Sequence, residues 1–570
     1  MAAPTYHDLV EKTSRDLPKF QDLLQFLYEF DWIHNFFTTR FFVDEVWRHV
    51  PEEWHSVLVA MSVEELNNLP FEFHQDKPHF PDSLRRFIQM SHQLSLLRDQ
   101  VNILEKKAID PNMKRGMSPK KLHEVTNMSA VVKETAAKAG CDVIVDVGSG
   151  LGYLGQVLHV SYGYSVVGVE GCSGHVERAE RRSAKQDLQN GCICNVTFNL
   201  EQTREHLNTF QDRVSEAVRN LKPCVHSQTA VNNSCQVDSK LISEKDTKCQ
   251  AGALSPDVSP NLDNINSRKH VSPERSCGNC VCVLKDVTDN TAGAVLNVSR
   301  MWSSGNESTH TTLNLHDNDN QQEHPESGNV PVPVYSAEER RVCMIGLHCC
   351  GDLTPTMLWY FLHMSTIQSL CLVSCCYHKM SFTEESNSFN CFPLSENCQT
   401  VYSDLKQQHR SWSLRPVSFR LAAQETRSRW RTQTEADHDT HVRHVAYRGL
   451  LELFFMEAEI TQLDRKVIRK ADFSTFDAFS ESIITGLDVS REVRADYLCH
   501  LQELYIRHKP HFCYVEIITC LQVLVQPVLE TLLQLDRHAY LVEHGVVSEL
   551  VPIFQENISP RNIALIANKH

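Results

Sequence analysis

The stretch Val145–Gly155 reads VDVGSGLGYLG. It closes a short β-branched run, Val143–Val147, and opens into Leu154–His159, whose apolar spacing is helical. It therefore reads as a strand, a glycine-rich turn and a helix. A second apolar run, Tyr162–Val169, ends at the acid Glu170 and is followed by a helical stretch, Ser173–Lys185. Glycines in such a turn let the backbone bend sharply and approach a ligand, with a helix N-terminus behind it.

The turn can be parsed in two ways. Gly150, Gly152 and Gly155 spell the G-x-G-x-x-G of a dinucleotide site, whereas Asp146, Gly148, Gly150 and Gly152 spell the D-x-G-x-G-x-G of an S-adenosylmethionine (SAM) loop. Glu170 suits either, since an acid there accepts ribose hydroxyls. Three features favour SAM. Asp146 lies at the strand end, where a carboxylate suits the amino end of a methionine moiety and repels a pyrophosphate. Glu170 follows Gly155 by only 15 residues, against about 20 in the dinucleotide fingerprint. Two strand-like runs near the C-terminus would supply the closing hairpin of a SAM-dependent methyltransferase sheet.

The 570 residues allow more than one domain, and 41% hydrophobic content supports a sizeable core. MAAPTYHDLVEKTSRD lacks the apolar run of a signal peptide, and no window offers the roughly eighteen uncharged apolar residues of a membrane span. The 21 cysteines show no paired spacing, so reduced thiols in cytosol or nucleus, and no secretion, are expected. A net charge of −15 argues against coating nucleic acid by bulk electrostatics but leaves room for a local basic groove.

Residues 1–112 read as helices, with Leu17, Phe20, Leu24 and Leu27 at helical spacing and Val59, Met61 and Leu66 after the Pro51 break. The α/β pattern occupies 113–221, with a third strand at Ile193–Phe198. Between Gln211 and Val334 the only aromatic residue is Trp302, so 222–338 reads as a disordered insertion that cannot offset its ordering entropy. Cys277, Cys280 and Cys282 within it lack a second ligand pair, and no metal is expected. The α/β pattern resumes over 339–425. Strand Val342–Leu347 leads into HCCGDLTP, helix Met357–His363 follows, and strand Gln368–Val373 leads into SCCYHKM. Residues 426–535 are helical, with Val493, Tyr497, Leu501 and Leu504 on one face and Ile517–Leu535 as a packed amphipathic helix. Residues 536–570 supply the closing strands, Ala539–Val542 and Asn562–Ala567.

GMSPKKLHEV (116–125), VDVGSGLGYLG, GLHCCGDLTPTML (346–358), SCCYHKM (374–380) and SPRNIALIA (559–567), together with VPEEWHSVL (50–58), resemble the methyltransferase-like protein 25 family. Its relatives include the ribosomal RNA adenine dimethylase domain-containing proteins. The resemblance implies a class I SAM-dependent methyltransferase, an α/β Rossmann-like seven-stranded sheet with helical additions. On its cofactor positions fall Asp146, Gly148, Gly150, Gly152 and Glu170, with Lys120, Lys121 and His123 on the helix that faces the methionine carboxylate.

Both Cys-Cys runs follow strands at the carboxyl edge of the sheet, where an acceptor must be aligned with the sulfonium methyl. His348 or His378 is expected to take a proton, with Asp352 orienting one of them. Cys375, Cys376, Tyr377 and Lys379 are expected to touch the acceptor. Adjacent cysteines chelate poorly, so no metal is expected there either.

HCCG stands where many amino-methyltransferases carry an N/D-P-P-Y signature, which argues against an adenine amino group as acceptor. LHCCGDLT and SCCYHK are similar to loops of a tRNA ribose 2′-O-methyltransferase family, without its zinc-binding regions. RNA is the expected acceptor, with Arg420, Arg427, Arg429, Trp430, Arg431 and Lys379 near the mouth. A protein acceptor, or a non-catalytic scaffold whose helical regions or insertion recruit partners, are the alternatives.

Overall fold

The computed structural model describes residues 17–72, 79–103, 106–186, 188, 191–221, 340–410, 412–424, 427–460 and 464–569. The stretch 222–338, with Cys277, Cys280 and Cys282, lies outside the described residues.

Seven strands form one sheet: β1 Val143–Val147, β2 Ser165–Glu170, β3 Ile193–Thr197, β4 Val342–Cys350, β5 Ile367–Cys375, β6 Val547–Pro552 and β7 Ile563–Asn568. Their order is β3-β2-β1-β4-β5-β7-β6. β1 to β5 are parallel, and β7 runs antiparallel to both β5 and β6. The central strands read as unbroken apolar runs because both faces are covered. Val143, Val145 and Val147 point into one core and Ile144 into the other, as a two-residue period requires.

Helices α1 Pro119–Lys138 and α2 Tyr153–Tyr162 cover one face, where Val125, Met128, Leu154 and Leu158 meet Ile144, Val166, Ile345 and Val373. The other face packs on α3 Arg204–Asn220 and α4 Leu353–His363 through Phe210, Tyr360 and Phe361. That second core continues into the N-terminal helices and those after residue 427. The strand order reverses between β1 and β4, and a crevice opens there at the carboxyl ends of the strands. This is the class I methyltransferase sheet that the resemblance implies.

Three elements differ from expectation. Ala539–Val542 is not a strand but part of α5, Cys513–Glu543, which runs on past residue 535. The helix ends at His544 and Gly545, whose φ of 74° gives the left-handed residue typical just beyond a helix terminus, and β6 starts at Val547. Helix α5 is also not amphipathic in the expected sense, because Gln526, Glu530, Gln534, Asp536 and Arg537 are all buried. Helices Phe20–Glu29, Asp82–Gln93, Pro416–Ala422 and Glu435–Glu457 surround it. By length and composition α5 would suit a membrane, but 89% of its most apolar window is buried within the protein.

The third difference is in β4, which continues through Cys350. Its register against β5 slips between Leu347 and Cys349, so His348 is the extra residue of a bulge, with φ of 70°.

Candidate functional site

A cavity of about 390 Å³ occupies the crevice and is lined by Ser118, Lys120, Lys121, Glu124, Asp146, Gly148, Gly150, Glu170, His175, Arg178, His348 and Cys350, among others. Its floor is the glycine turn. Gly148, Gly150 and Gly152 have φ of 71°, 57° and 72°, a conformation that side chains with a Cβ disfavour by about 1–2 kcal/mol. A Cβ added at Gly150 would meet nothing within 4 Å, so the turn presents bare backbone to the cavity. Gly155 matters for packing instead. Inside α2, a Cβ there would lie 2.9 Å from Val166, so the missing side chain lets the helix sit close on the strand.

Glu170 ends β2 with its carboxylate turned to this loop. It accepts from the Gly150 amide at 2.9 Å and the Cys172 amide at 3.1 Å, and His175 Nδ1 lies 3.6 Å away. Asp146 is buried on the other side of the turn. Burial pushes its carboxyl up to about 7, with Glu170 adding to the rise and Lys121 and the Gly155 amide opposing it. A buried carboxyl poised this way favours a cationic ligand beside it.

Helix α1 supplies the third wall. Ser118 caps it, its Oγ accepting from the Lys121 amide at 3.2 Å, and Pro119 occupies the first turn. Lys120, Lys121 and Glu124 share a face by three- and four-residue spacing. The Lys Nζ atoms lie 3.9 and 3.5 Å from the Glu124 carboxylate, which is 1% exposed. Burial works to raise Glu124. The hydrogen bond from His348, its charge, and those of Lys121 and Lys120 prevail and hold the carboxyl at about 2. Ser559 Oγ donates to its second oxygen at 2.8 Å.

Glu124 is therefore ionised and accepts the Nε2 proton of His348 at 3.0 Å. In its neutral form His348, so held, carries its free lone pair on Nδ1. Sequence reasoning missed Glu124: it named Asp352 as the orienting acid, and on this helix it placed His123, rotated about 100° from Glu124, with Lys120 and Lys121 at the methionine carboxylate. His123 Nε2 instead accepts from the Gln555 amide at 3.0 Å, outside the cavity lining. The signal available was helical phase with Lys120 and Lys121.

The other acceptor-side residues sit elsewhere. Asp352 does not orient a histidine; its carboxylate accepts from the Ser381 amide at 3.0 and 3.1 Å, tying down the loop after β5. Tyr377 is fully buried and donates to Glu530 at 2.8 Å, so it anchors the fold and is not placed to touch an acceptor. His378 and Lys379 follow on the same 3₁₀ turn, half-buried and exposed, and neither lines the cavity. Cys375 and Cys376 are buried behind Cys350, with the Cys350 and Cys375 sulfurs 3.1 Å apart.

The basic run beyond residue 425 is also engaged in packing. Trp430 Nε1 donates to the Leu66 carbonyl at 3.0 Å, and Arg427 and Arg431 stack on Phe71. Basic residues also gather beside the glycine turn. A second cavity of about 920 Å³ is lined by Arg115, Arg178, Arg181, Arg182 and Lys185 with Asp110, and it shares Leu151, Tyr153 and Arg178 with the first.

Comparison with known proteins agrees with this geometry. A family described as "Methyltransferase domain" matches residues 120–383. The chain is 24% identical to the human protein named "Probable methyltransferase-like protein 25", over 97% of this chain and 98% of that one. It is 26% identical to the mouse protein of the same name, over 82% of this chain and 78% of that one. No solved structure matches.

Proposed function

We propose that this chain, a methyltransferase similar over most of its length to the methyltransferase-like protein 25 proteins, draws its methyl group from SAM and delivers it to RNA. The donor set of the cavity fits that cofactor. Asp146 suits its ammonium, Lys120 and Lys121 its carboxylate, Glu170 its ribose hydroxyls, and the bare backbone at Gly150 permits the close approach of a nucleoside. When bound, SAM would supply an electrophilic methyl carbon.

The remaining work falls to the protein. The acceptor must approach in line, so positioning dominates. His348 Nδ1 is suited to receive the proton that the acceptor loses, while the ionised Glu124 fixes the ring and stabilises the imidazolium. The bulge in β4 turns that ring toward the crevice.

The observation that carries RNA is the continuity of the basic cavity with the cofactor cavity through Arg178, in a chain of net charge −15. A concentrated positive patch on an acidic protein matches a polyanion. Incubating the full chain with methyl-labelled SAM and separate RNA and protein pools tests the reading. Label in RNA, weakened by Arg178→Glu and Lys185→Glu together, supports it. Label only in protein overturns the acceptor while leaving the donor intact.

A further inference from the structure

Two residues other than glycine adopt left-handed backbone around the crevice, His348 (φ 70°) and Cys376 (φ 44°). Each has the same consequence. Without the bulge at His348, continuing the Leu347–Val373 register would set Cys349 opposite Cys375; with it, Cys350 takes that place. In an uninterrupted strand Cys375 and Cys376 would point to opposite faces; the left-handed turn at Cys376 brings its thiol round to the same side. The Sγ atoms of Cys350, Cys375 and Cys376 all lie within 4.8 Å of one another.

We propose that Cys350, Cys375 and Cys376 form a three-thiolate site for a soft d¹⁰ divalent cation, zinc by its chemistry, with the fourth position open toward the cofactor cavity. Three observations support it. Zinc holds thiolates at about 2.3 Å in tetrahedral geometry, which sets sulfurs about 3.8 Å apart. The observed separations, 3.1 Å for Cys350 to Cys375 and none above 4.8 Å, bracket that value and need only small side-chain adjustments. Three protein ligands and one open position is the pattern of zinc sites that bind a substrate or water, and Cys350 is the member that lines the cavity.

Charge is offset in part locally. Binding would take three thiols and one Zn²⁺ to a complex of charge −1 and release three protons to solvent. The buried guanidinium of Arg537 lies over the Tyr377 ring at 5.2 Å and interacts electrostatically with Cys375 and Cys349. Its Nη1 has no hydrogen-bond partner among the described residues. A buried cation near Cys375, itself beside Asp536, offsets part of the charge of the anionic complex. The expectation of no metal rested on adjacent cysteines in regular backbone, and the turn at Cys376 removes that premise.

The test is titration of the reduced full chain with Co²⁺ and Zn²⁺, with Cys277, Cys280 and Cys282 all changed to Ser to remove the other cysteine cluster. One equivalent of Co²⁺ with intense sulfur-to-metal charge-transfer bands and a tetrahedral visible spectrum, displaced by Zn²⁺, is expected. Cys350→Ser and Cys375→Ser should each weaken binding at least tenfold while Cys398→Ser does not, with circular dichroism reporting the fold. Absence of thiolate–cobalt bands in the parent chain overturns the proposal whatever the variants do. So does binding unchanged in both serine variants, or a Cys350–Cys375 disulfide that excludes metal under reducing preparation.

Discussion

His348 Nε2 lies 3.0 Å from the carboxylate of Glu124, 224 residues earlier in the chain. The pairing fixes both the tautomer and the tilt of the one histidine that rises from β4 into the crevice. His348→Ala should therefore slow methyl transfer by about 10²-fold or more while leaving SAM affinity within about twofold, a margin smaller than one ordinary hydrogen bond is worth. His378→Ala, outside the cavity lining, should leave turnover nearly unchanged. Single-turnover rates beside calorimetric affinities check both, and the reverse ranking would assign the proton to His378.

Glu124 also sets a pH limit on stability. Its carboxyl is held at about 2 against an ordinary 4.5, so the folded state favours the ionised form. That contribution is complete above pH 4.5 and is lost as pH falls through about 2, on the order of 3 kcal/mol in all. Urea unfolding between about pH 5 and pH 3 should show a steeper loss for the parent chain than for Glu124→Gln. Parallel curves would mean that the carboxylate is not held by His348.

Asp146 behaves with the opposite sign. Burial raises its carboxyl from 3.8 to about 7, so the folded state favours the neutral form, and the benefit disappears as pH rises through 7. Asp146→Asn should stabilise the ligand-free protein near pH 8 by about 1–3 kcal/mol and yet lose SAM binding. In the parent chain, affinity should rise with pH toward 7 and binding should release a proton. Calorimetry in two buffers of different ionisation heat measures that proton; none released would separate Asp146 from the ligand's ammonium.

Glu530, on the buried helix α5, holds Arg98, Arg561 and Tyr377 together. Glu530→Ala should cost about 3–5 kcal/mol, because it removes the ion-pair partner of the buried Arg561 and leaves the buried Arg98 with only Glu556 at 4.0 Å. Chemical denaturation checks it, and a loss below about 1 kcal/mol would imply that solvent reaches the arginines.

The parts legible in the sequence are those set by local chemistry. Glycines 148, 150 and 152, Asp146 and Glu170 stand within one strand–turn–helix–strand unit, and all but Gly152 line the cavity. What escaped depends on distant partners. The β4 bulge exists only in register with β5, Tyr377 is claimed by Glu530, and Asp352 by Ser381. Ala539–Val542 has strand-like residues but extends a helix already fixed by tertiary packing. His123 and Glu124 are neighbours in sequence and a third of a turn apart in space, so only helical phase against β4 tells them apart.

Calorimetric titration of the full chain with SAM and its demethylated product, beside Gly150→Arg, is the most direct test of the cofactor site. Gly150 N–H binds Glu170, and its φ of 57° faces open space, so an arginine there obstructs the cavity with about 1–2 kcal/mol of backbone strain. Micromolar binding of both ligands in the parent chain, lost in a variant that still folds, is the predicted result. Binding absent from the parent, or retained by Gly150→Arg, would contradict it and point to a scaffold or to a cofactor held elsewhere.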